Sequence, residues 1–176
     1  MMIIWINGAF GCGKTTVSNL LNQTIKNSKI YDPEIVGEAL SKLIPITIQL
    51  TDFQDYPEWR EWNKSLLSKI SSDFEGTLIV PMTIYKKEYY DEIILTLITE
   101  GIDVKHFLLE VSKEEIVNRL RNRNDGTFEW GKSKIDDILE SCNEIDFTAI
   151  ISNDQENPKK AANDILTILG YVENSD

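Results

Sequence analysis

This chain of 176 residues predicts an α/β architecture, a parallel sheet of about five strands with helices on both faces. Three observations lead there. Short apolar runs of strand length alternate with longer segments whose apolar residues recur at helical spacing. The first run, Ile3-Ile4-Trp5-Ile6, passes through a glycine-rich turn straight into a helical pattern. Prolines that open helices (Pro33, Pro57 and Pro158) stand at the starts of later helical patterns. One domain, 1–176, is expected, without internal repeat, linker or low-complexity tract.

The turn reads Gly8-Ala9-Phe10-Gly11-Cys12-Gly13-Lys14-Thr15 and fits G-x-x-x-x-G-K-[ST] without a gap. Val17, Leu20, Leu21 and Ile25 continue it at helical spacing. Glycines let backbone N–H groups converge on phosphate oxygens, and the helix start adds unpaired donors with a partial positive charge. Lys14 would reach the β- and γ-phosphates, the Thr15 hydroxyl would take a place on Mg²⁺, and Thr16 would stand beside it. A bound nucleoside triphosphate is the expectation, in a phosphate-loop domain of nucleoside-kinase size.

Composition narrows the uses of such a loop. The net charge of −11 repels a nucleic-acid backbone and argues against a helicase or nuclease. The four arginines are Arg60, Arg119, Arg121 and Arg123, local enough to suit a few phosphates better than a long polyanion. No apolar run approaches a membrane span and no basic leader precedes the first strand, so a cytoplasmic protein is expected. Cys12 and Cys142 read as reduced thiols, and a single histidine, His106, excludes a histidine metal cluster.

Along the chain, Lys29-Ile30-Tyr31 predicts a second strand, and Pro33 opens a helix through about Leu43. Asp32 then stands at the carboxyl end of a strand, where open parallel sheets bind ligands, and equally at the N-cap of that helix. Both readings stand. A loop follows to Asp55, then Phe53-Gln54-Asp55-Tyr56-Pro57-Glu58-Trp59-Arg60-Glu61-Trp62, the richest aromatic stretch. Trp59, Trp62, Leu66, Leu67, Ile70 and Phe74 make one stripe of a long helix, and Trp62 is assigned to the core. Phe53, Tyr56 and Trp59 beside Arg60 suit stacking on a sugar or base while holding its phosphate. Residues 32–75 are the expected acceptor-binding region.

Gly76 ends that helix, and Thr77-Leu78-Ile79-Val80-Pro81 predicts a buried central strand followed by Met82-Thr83. No Asp closes this strand to hold Mg²⁺. The ion would depend on Thr15, phosphates and water, with Asp32 reaching it through water. Tyr89, Tyr90, Ile93, Ile94, Leu97 and Ile98 mark a helix, and Val104 to Val111 a strand in which His106 is a hydrogen-bonded sheet residue. Ser112-Lys113-Glu114-Glu115 is a capping box. Arg119 and Arg123 stand four apart on the helix it starts, before Asn124-Asp125-Gly126, and could close over the γ-phosphate as a lid (119–134) whose mobile part is Thr127 to Lys134. A solvated basic face pairing with Glu115 is the alternative. Ile135, Ile138, Leu139 and Cys142 mark a helix, Phe147 to Ile151 a last strand, and Ala161, Ala162, Ile165, Leu166 and Leu169 the final helix.

Ile3-Ile4-Trp5-Ile6-Asn7-Gly8-Ala9-Phe10-Gly11, Tyr31-Asp32-Pro33-Glu34, Asp52-Phe53-Gln54, Tyr56-Pro57, Trp59-Arg60 and Leu78-Ile79-Val80-Pro81-Met82-Thr83 resemble the bacterial tunicamycin-resistance ATP-binding protein family. The resemblance runs from the first strand through the arginine helix. It implies a fold similar to adenylate and shikimate kinases, ATP binding, and protection against tunicamycin, a uridine-containing sugar antibiotic. By analogy Lys14 and Thr15 belong to the ATP site, Arg119 and Arg123 to a lid, and Asp32 to the place of the acidic group that receives the acceptor hydroxyl.

These readings converge on an ATP- and Mg²⁺-dependent small-molecule phosphotransferase, monomeric or homodimeric, with no nucleic-acid or membrane-spanning role. Lys14, Asp32, Arg119 and Arg123 would be catalytic. The acceptor would lie against Asp32, Phe53, Gln54, Tyr56, Trp59, Arg60 and Thr83. Two rivals stand: an ATP-gated protein that sequesters the drug unmodified, and a nucleotide switch with an exposed apolar patch and no small-molecule pocket.

Overall fold

The computed structural model describes residues 1–123, 128–154 and 157–171. Five parallel strands form one sheet in the order β2-β3-β1-β4-β5. The strands are β1 (Met2–Asn7), β2 (Ser28–Ile30), β3 (Thr77–Pro81), β4 (Asp103–Glu110) and β5 (Ala149–Ser152). The helices before β3 are α1 (Lys14–Thr24), α2 (Glu34–Leu43) and α3 (Pro57–Asp73). Between β3 and β4 the chain is helical in three parts: α4 (Lys87–Tyr90), a π-helical segment (Asp91–Leu95) and α5 (Thr96–Thr99). Then come α6 (Lys113–Arg123), α7 (Phe128–Ser141) and α8 (Pro158–Ile168).

β1 is the central strand, and its alternation builds both layers. Ile4 and Ile6 face a core with Val17, Leu21, Phe107, Ile116, Ile135, Ile138 and Ile165, which brings α1, α6, α7 and α8 to one side. Ile3 and Trp5 face the other, with Leu67, Leu78, Val80, Ile93 and Leu97 from α3, β3 and the helical run after it. Because β1 is covered on both faces, its carboxyl end can open only at the top edge of the sheet. The glycine turn leaves from that edge.

Three expectations change. Strand 2 lies one residue earlier than expected, because Tyr31 N bonds to Ile79 O while Tyr31 turns toward α3 with its hydroxyl on Asn63 Oδ1 at 2.8 Å. The segment 128–134, expected as the mobile part of a lid, is helical from Phe128. Gly131 lets α7 approach α6 there, since a Cβ on it would lie 3.3 Å from Leu120. The two tryptophans exchange roles: Trp59 is fully buried and Trp62 is 42% exposed. Asn124, Asp125, Gly126 and Thr127, and the side chains of Arg123 and Cys142, lie outside the described residues. Among the described residues no helix is long and apolar enough to cross a membrane.

Candidate active site at the glycine-rich loop

The loop joins β1 to α1 through three glycines in the left-handed region, Gly8, Gly11 and Gly13, with φ of 141°, 86° and 100°. Two of them also lack room. A Cβ on Gly8 would lie 2.6 Å from Cys12 Sγ and 2.7 Å from Leu109 O, and one on Gly13 would lie 2.7 Å from Asn153 Nδ2. Gly13 precedes α1 with no side-chain cap, so the first-turn N–H groups of that helix are open to an anion. Thr15 and Thr16 are exposed at this mouth, while Ala9 and Cys12 are buried beneath it. Lys14 Nζ donates to Gly8 O at 2.9 Å and Ala9 O at 3.0 Å, above the Phe10 ring at 5.7 Å.

Side chains from distant strands hold the loop. Asn7, fully buried at the end of β1, accepts from Gly8 N at 2.8 Å and Ile84 N at 3.0 Å through Oδ1. Its Nδ2 donates to Ile84 O at 2.9 Å and meets His106 Nε2 at 3.2 Å. His106 Nδ1 bonds Asp146 O at 2.9 Å, and a carbonyl can only accept, so Nδ1 carries the proton and Nε2 receives Asn7. Burial pushes the His106 pKa down to about 4, which keeps the ring neutral. The expectation of a hydrogen-bonded sheet histidine is met. The segment after β3 is stitched to the same place by Trp5 Nε1 to Met82 O at 2.9 Å and Thr83 Oγ1 to Gly8 O at 2.8 Å. Thr83 is 1% exposed, so it anchors the loop and does not contact an acceptor as expected.

At the far end of the loop Asn153 Nδ2 donates to Cys12 O at 2.8 Å. Arg119 donates to Glu115 Oε1 at 2.7 Å, Asn153 O at 2.7 Å, Asp154 O at 3.0 Å and Cys12 O at 3.5 Å. This corrects the lid reading of Arg119. Its donors are directed at Glu115 and the carbonyls that border the loop, so it braces this end rather than swinging over a γ-phosphate. Asn7 and Asn153 were both missed in the sequence. The signal that could have found them is position: each is a polar residue at the carboxyl end of an apolar strand.

Three cavities border the loop and α2. One of about 420 Å³ is lined by Gly11, Gly13, Thr16, Arg119, Asn122, Asn153 and Pro158. The second, about 250 Å³, brings Lys14, Thr15, Ser18, Asp32, Glu34 and Pro81 together with Phe10, Gly11 and Gly13. The third, a groove of about 290 Å³, runs along α2 past Glu34, Gly37, Glu38, Ser41, Lys42 and Phe53. Asp32 stands just before α2. Its Oδ1 accepts from Glu34 N at 3.0 Å as a cap, and the residue lines the cavity shared with Lys14 and Thr15.

Most of the expected acceptor wall turns inward. Trp59 donates Nε1 to Pro33 O at 3.0 Å, and the Tyr56 hydroxyl accepts from Leu50 N at 2.6 Å. Gln54 is 1% exposed. Arg60 donates to Glu92 Oε2 at 2.6 Å and Gln54 O at 2.7 Å, with its guanidinium over the Tyr89 ring at 4.6 Å. Trp59, Tyr56 and Arg60 are structural, for a physical reason, while the buried Gln54 Oε1 has no hydrogen-bond partner among the described residues. Indole, phenol and guanidinium can each bury an apolar body while a polar tip finds a local carbonyl, amide or carboxylate. Of the aromatic group, Phe53 lines the groove along α2, resting on Gly37, where a Cβ would lie 2.6 Å from its ring.

The donor set suits Mg²⁺ carried mainly by phosphates. Thr15 offers a hydroxyl, Asp32 lines the same cavity, and β3 ends at Pro81 and runs into Met82-Thr83 without a carboxylate. Among the described residues no cluster of three His, Cys, Asp or Glu could hold a metal ion alone.

Solved structures agree with this frame. Over 97% of this chain and 96% of the other, the structure resembles the Deinococcus radiodurans tunicamycin resistance protein, with TM-score 0.76 and 26% identity. A Bacteroides thetaiotaomicron shikimate kinase matches with TM-score 0.64 and 17% identity, over 96% of this chain and 98% of that one. The fold is that of the P-loop kinases. A Sinorhizobium meliloti gluconokinase matches similarly, with TM-score 0.62 and 18% identity over 96% and 91% of the two chains. No protein-family model matches the chain, and no curated protein matches it by sequence.

Proposed function

We propose that this chain is an ATP-dependent phosphotransferase acting on a small-molecule hydroxyl, with tunicamycin or a related nucleotide-sugar-like compound as acceptor and antibiotic resistance as the outcome. The observation that carries the reading is the 250 Å³ cavity, in which Lys14, Thr15 and Asp32 meet at the open end of the loop. The 420 Å³ cavity supports a base site. The Arg119 guanidinium, fixed by its in-plane hydrogen bonds, and Pro158 line it, and both offer flat or apolar faces to an adenine. The name of the Deinococcus relative supports the acceptor.

The chain's own groups suit the chemistry. Triphosphate oxygens would receive the open N–H groups of the loop and the first turn of α1. Lys14 would exchange its bonds to Gly8 O and Ala9 O for the β- and γ-phosphates. Gly8 O would stay satisfied, because Thr83 already donates to it. Thr15 would hold Mg²⁺, which neutralises charge on the transferring phosphoryl group when bound. Asp32 would orient the acceptor hydroxyl and take its proton as the oxygen attacks phosphorus and the bond to ADP breaks. Arg123, on α6, is the remaining candidate for the lid cation.

The test is mass spectrometry of tunicamycin incubated with the protein and Mg-ATP, beside the Lys14→Ala protein. A phosphate-sized gain that needs Lys14 is expected; none, with ATP bound, would overturn phosphoryl transfer. A second reading, ATP-gated sequestration of unmodified drug, draws on the capping bond of Asp32 to Glu34 N. ATP-dependent retention of unmodified tunicamycin would select it. The nucleotide-switch reading expects an exposed apolar patch and no small-molecule pocket; Leu43, Ile46 and Ile48 are exposed, while the groove along α2 counts against it.

A further inference from the structure

We infer that Ser18 is a positioning residue for Mg²⁺, holding the ion through a water molecule with the hydrogen-bond acceptor that the end of β3 lacks. The inference rests on the phosphotransferase reading for the bound Mg-ATP, and its own ground is an unpaired hydroxyl. Ser18 lies in the second turn of α1 and is fully buried. Its Oγ has no hydrogen-bond partner among the described residues. Other helical hydroxyls in this chain behave differently. Thr24, Ser41, Ser141 and Thr167 each donate to the carbonyl four residues earlier, at 2.7–3.0 Å. Ser18 makes no such bond to Lys14 O. A buried polar atom left alone is destabilising, so a ligand that supplies its partner gains affinity from it.

The place of this hydroxyl identifies the ligand. Ser18 lines the 250 Å³ cavity together with Lys14, Thr15, Asp32 and Pro81. Of the four buried side-chain atoms without partners among the described residues, its Oγ is the one that belongs to this cavity. Asn153 borders the other loop cavity, and Gln54 and Ser71 border neither. Ser18 stands three residues after Thr15 and four after Lys14, spacings that make helical side chains neighbours, about 5–6 Å apart at Cβ. Helical Cα–Cβ bonds tilt toward the N-terminus, so Ser18 leans toward the turn that carries Lys14 and Thr15. Mg²⁺ on the Thr15 hydroxyl and phosphates keeps several waters, whose O–H groups need acceptors. Pro81 and the following Met82-Thr83 offer no carboxylate, and the Thr83 hydroxyl already donates to Gly8 O. Ser18 Oγ has lone pairs to accept from such a water on the α1 wall. Being neutral, it leaves the ion's charge to the phosphates and fixes its position.

The experiment titrates the full chain with a non-hydrolysable ATP analogue by calorimetry, in excess EDTA and at saturating Mg²⁺, for the parent protein and Ser18→Ala. In EDTA the two should bind the analogue equally. With Mg²⁺ the parent's affinity should rise, and Ser18→Ala should lack about three- to tenfold of that gain, the size expected for one hydrogen bond. Without nucleotide the urea midpoint of Ser18→Ala should equal or exceed the parent's, because no bond is removed. Thr15→Ala should remove the Mg²⁺ gain, and adding Ser18→Ala to it should change little more, since both act on one ion. An equal Mg²⁺ gain in the parent and Ser18→Ala would overturn the inference. So would an equal loss with and without Mg²⁺, or a lowered ligand-free urea midpoint, since either assigns the hydroxyl to the fold. Failure of the underlying reading looks different: the parent itself would not bind the analogue, or would bind it with no Mg²⁺ gain, and the inference would fall with it.

Discussion

The loop at 8–15 and the aromatic stretch at 53–62 are the two segments richest in groups that bind ligands, and they orient those groups in opposite directions. In the loop the backbone makes the site. Positive-φ glycines and an uncapped helix start point N–H groups outward, and the buried side chains Asn7, Thr83 and Asn153 hold that geometry from below. In the aromatic stretch the side chains make a core. Trp59, Tyr56 and Arg60 turn their polar tips to carbonyls, an amide and a carboxylate of the protein itself, and Gln54 is buried beside them, leaving Phe53 at the groove. The contrast teaches that a backbone-built site keeps its meaning wherever its turn is conserved in shape. An aromatic cluster has no fixed meaning until its neighbours are known.

Experiments can break this contrast, beginning with the largest effect. Trp59→Ala should destabilise the fold by about 3–5 kcal/mol in urea unfolding, as expected for emptying a buried aromatic site. Retained stability with lost acceptor binding would restore Trp59 to the ligand. Lys14→Ala should lower turnover by roughly a hundred- to a thousandfold while circular dichroism and the urea midpoint stay unchanged. Turnover near that of the parent protein would remove the loop from the chemistry.

The His106 clamp beneath the loop gives a pH signature. Its pKa is held at about 4, below the ordinary 6.5, so the folded state favours the neutral ring. That stability is fully present above about pH 6.5 and is lost as pH falls toward 4, because the unfolded chain takes up the proton first. At about 1.4 kcal/mol per pKa unit the loss is about 3 kcal/mol. Urea midpoints of the parent protein and a His106→Gln variant across this range would check it, and a variant as pH-sensitive as the parent would count against the clamp.

Thr83→Val removes the hydroxyl bond to Gly8 O and should cost about 1 kcal/mol of stability. Nucleotide affinity, read by titration, should fall with it, since Gly8 O would then compete for Lys14. The smallest effect should be Trp62→Ala, within about 1 kcal/mol because the ring is 42% exposed. A cost matching that of Trp59→Ala would erase the distinction between the two tryptophans.

Much of the frame was legible in the residues. Apolar runs with helices between them gave the parallel sheet, and Gly8 through Thr15 gave the loop, because φ at a glycine and the start of a helix depend on near neighbours. Asp32 was legible as two alternatives, and the structure gives it the cap together with a place in the phosphate cavity. The acceptor wall was misread. Trp59 and Trp62 stand three apart and share a helical stripe, so spacing could not say which would be buried. Arg60 looked available until Glu92, 32 residues on, came beside it. The lid was misread too, because Arg119 is claimed by carbonyls from the end of β5 and the loop.

By itself the sequence determined the alternation of strands and helices, the anion-binding turn and the acidic character of the chain, all properties of adjacent residues or of their sum. Only the tertiary structure decided which polar groups face a cavity and which face the protein. That choice depends on partners brought together across the fold, such as Asn153 and Cys12, 141 residues apart. A buried donor takes whichever acceptor the packing places within reach, because leaving it unpaired costs more than the bond returns.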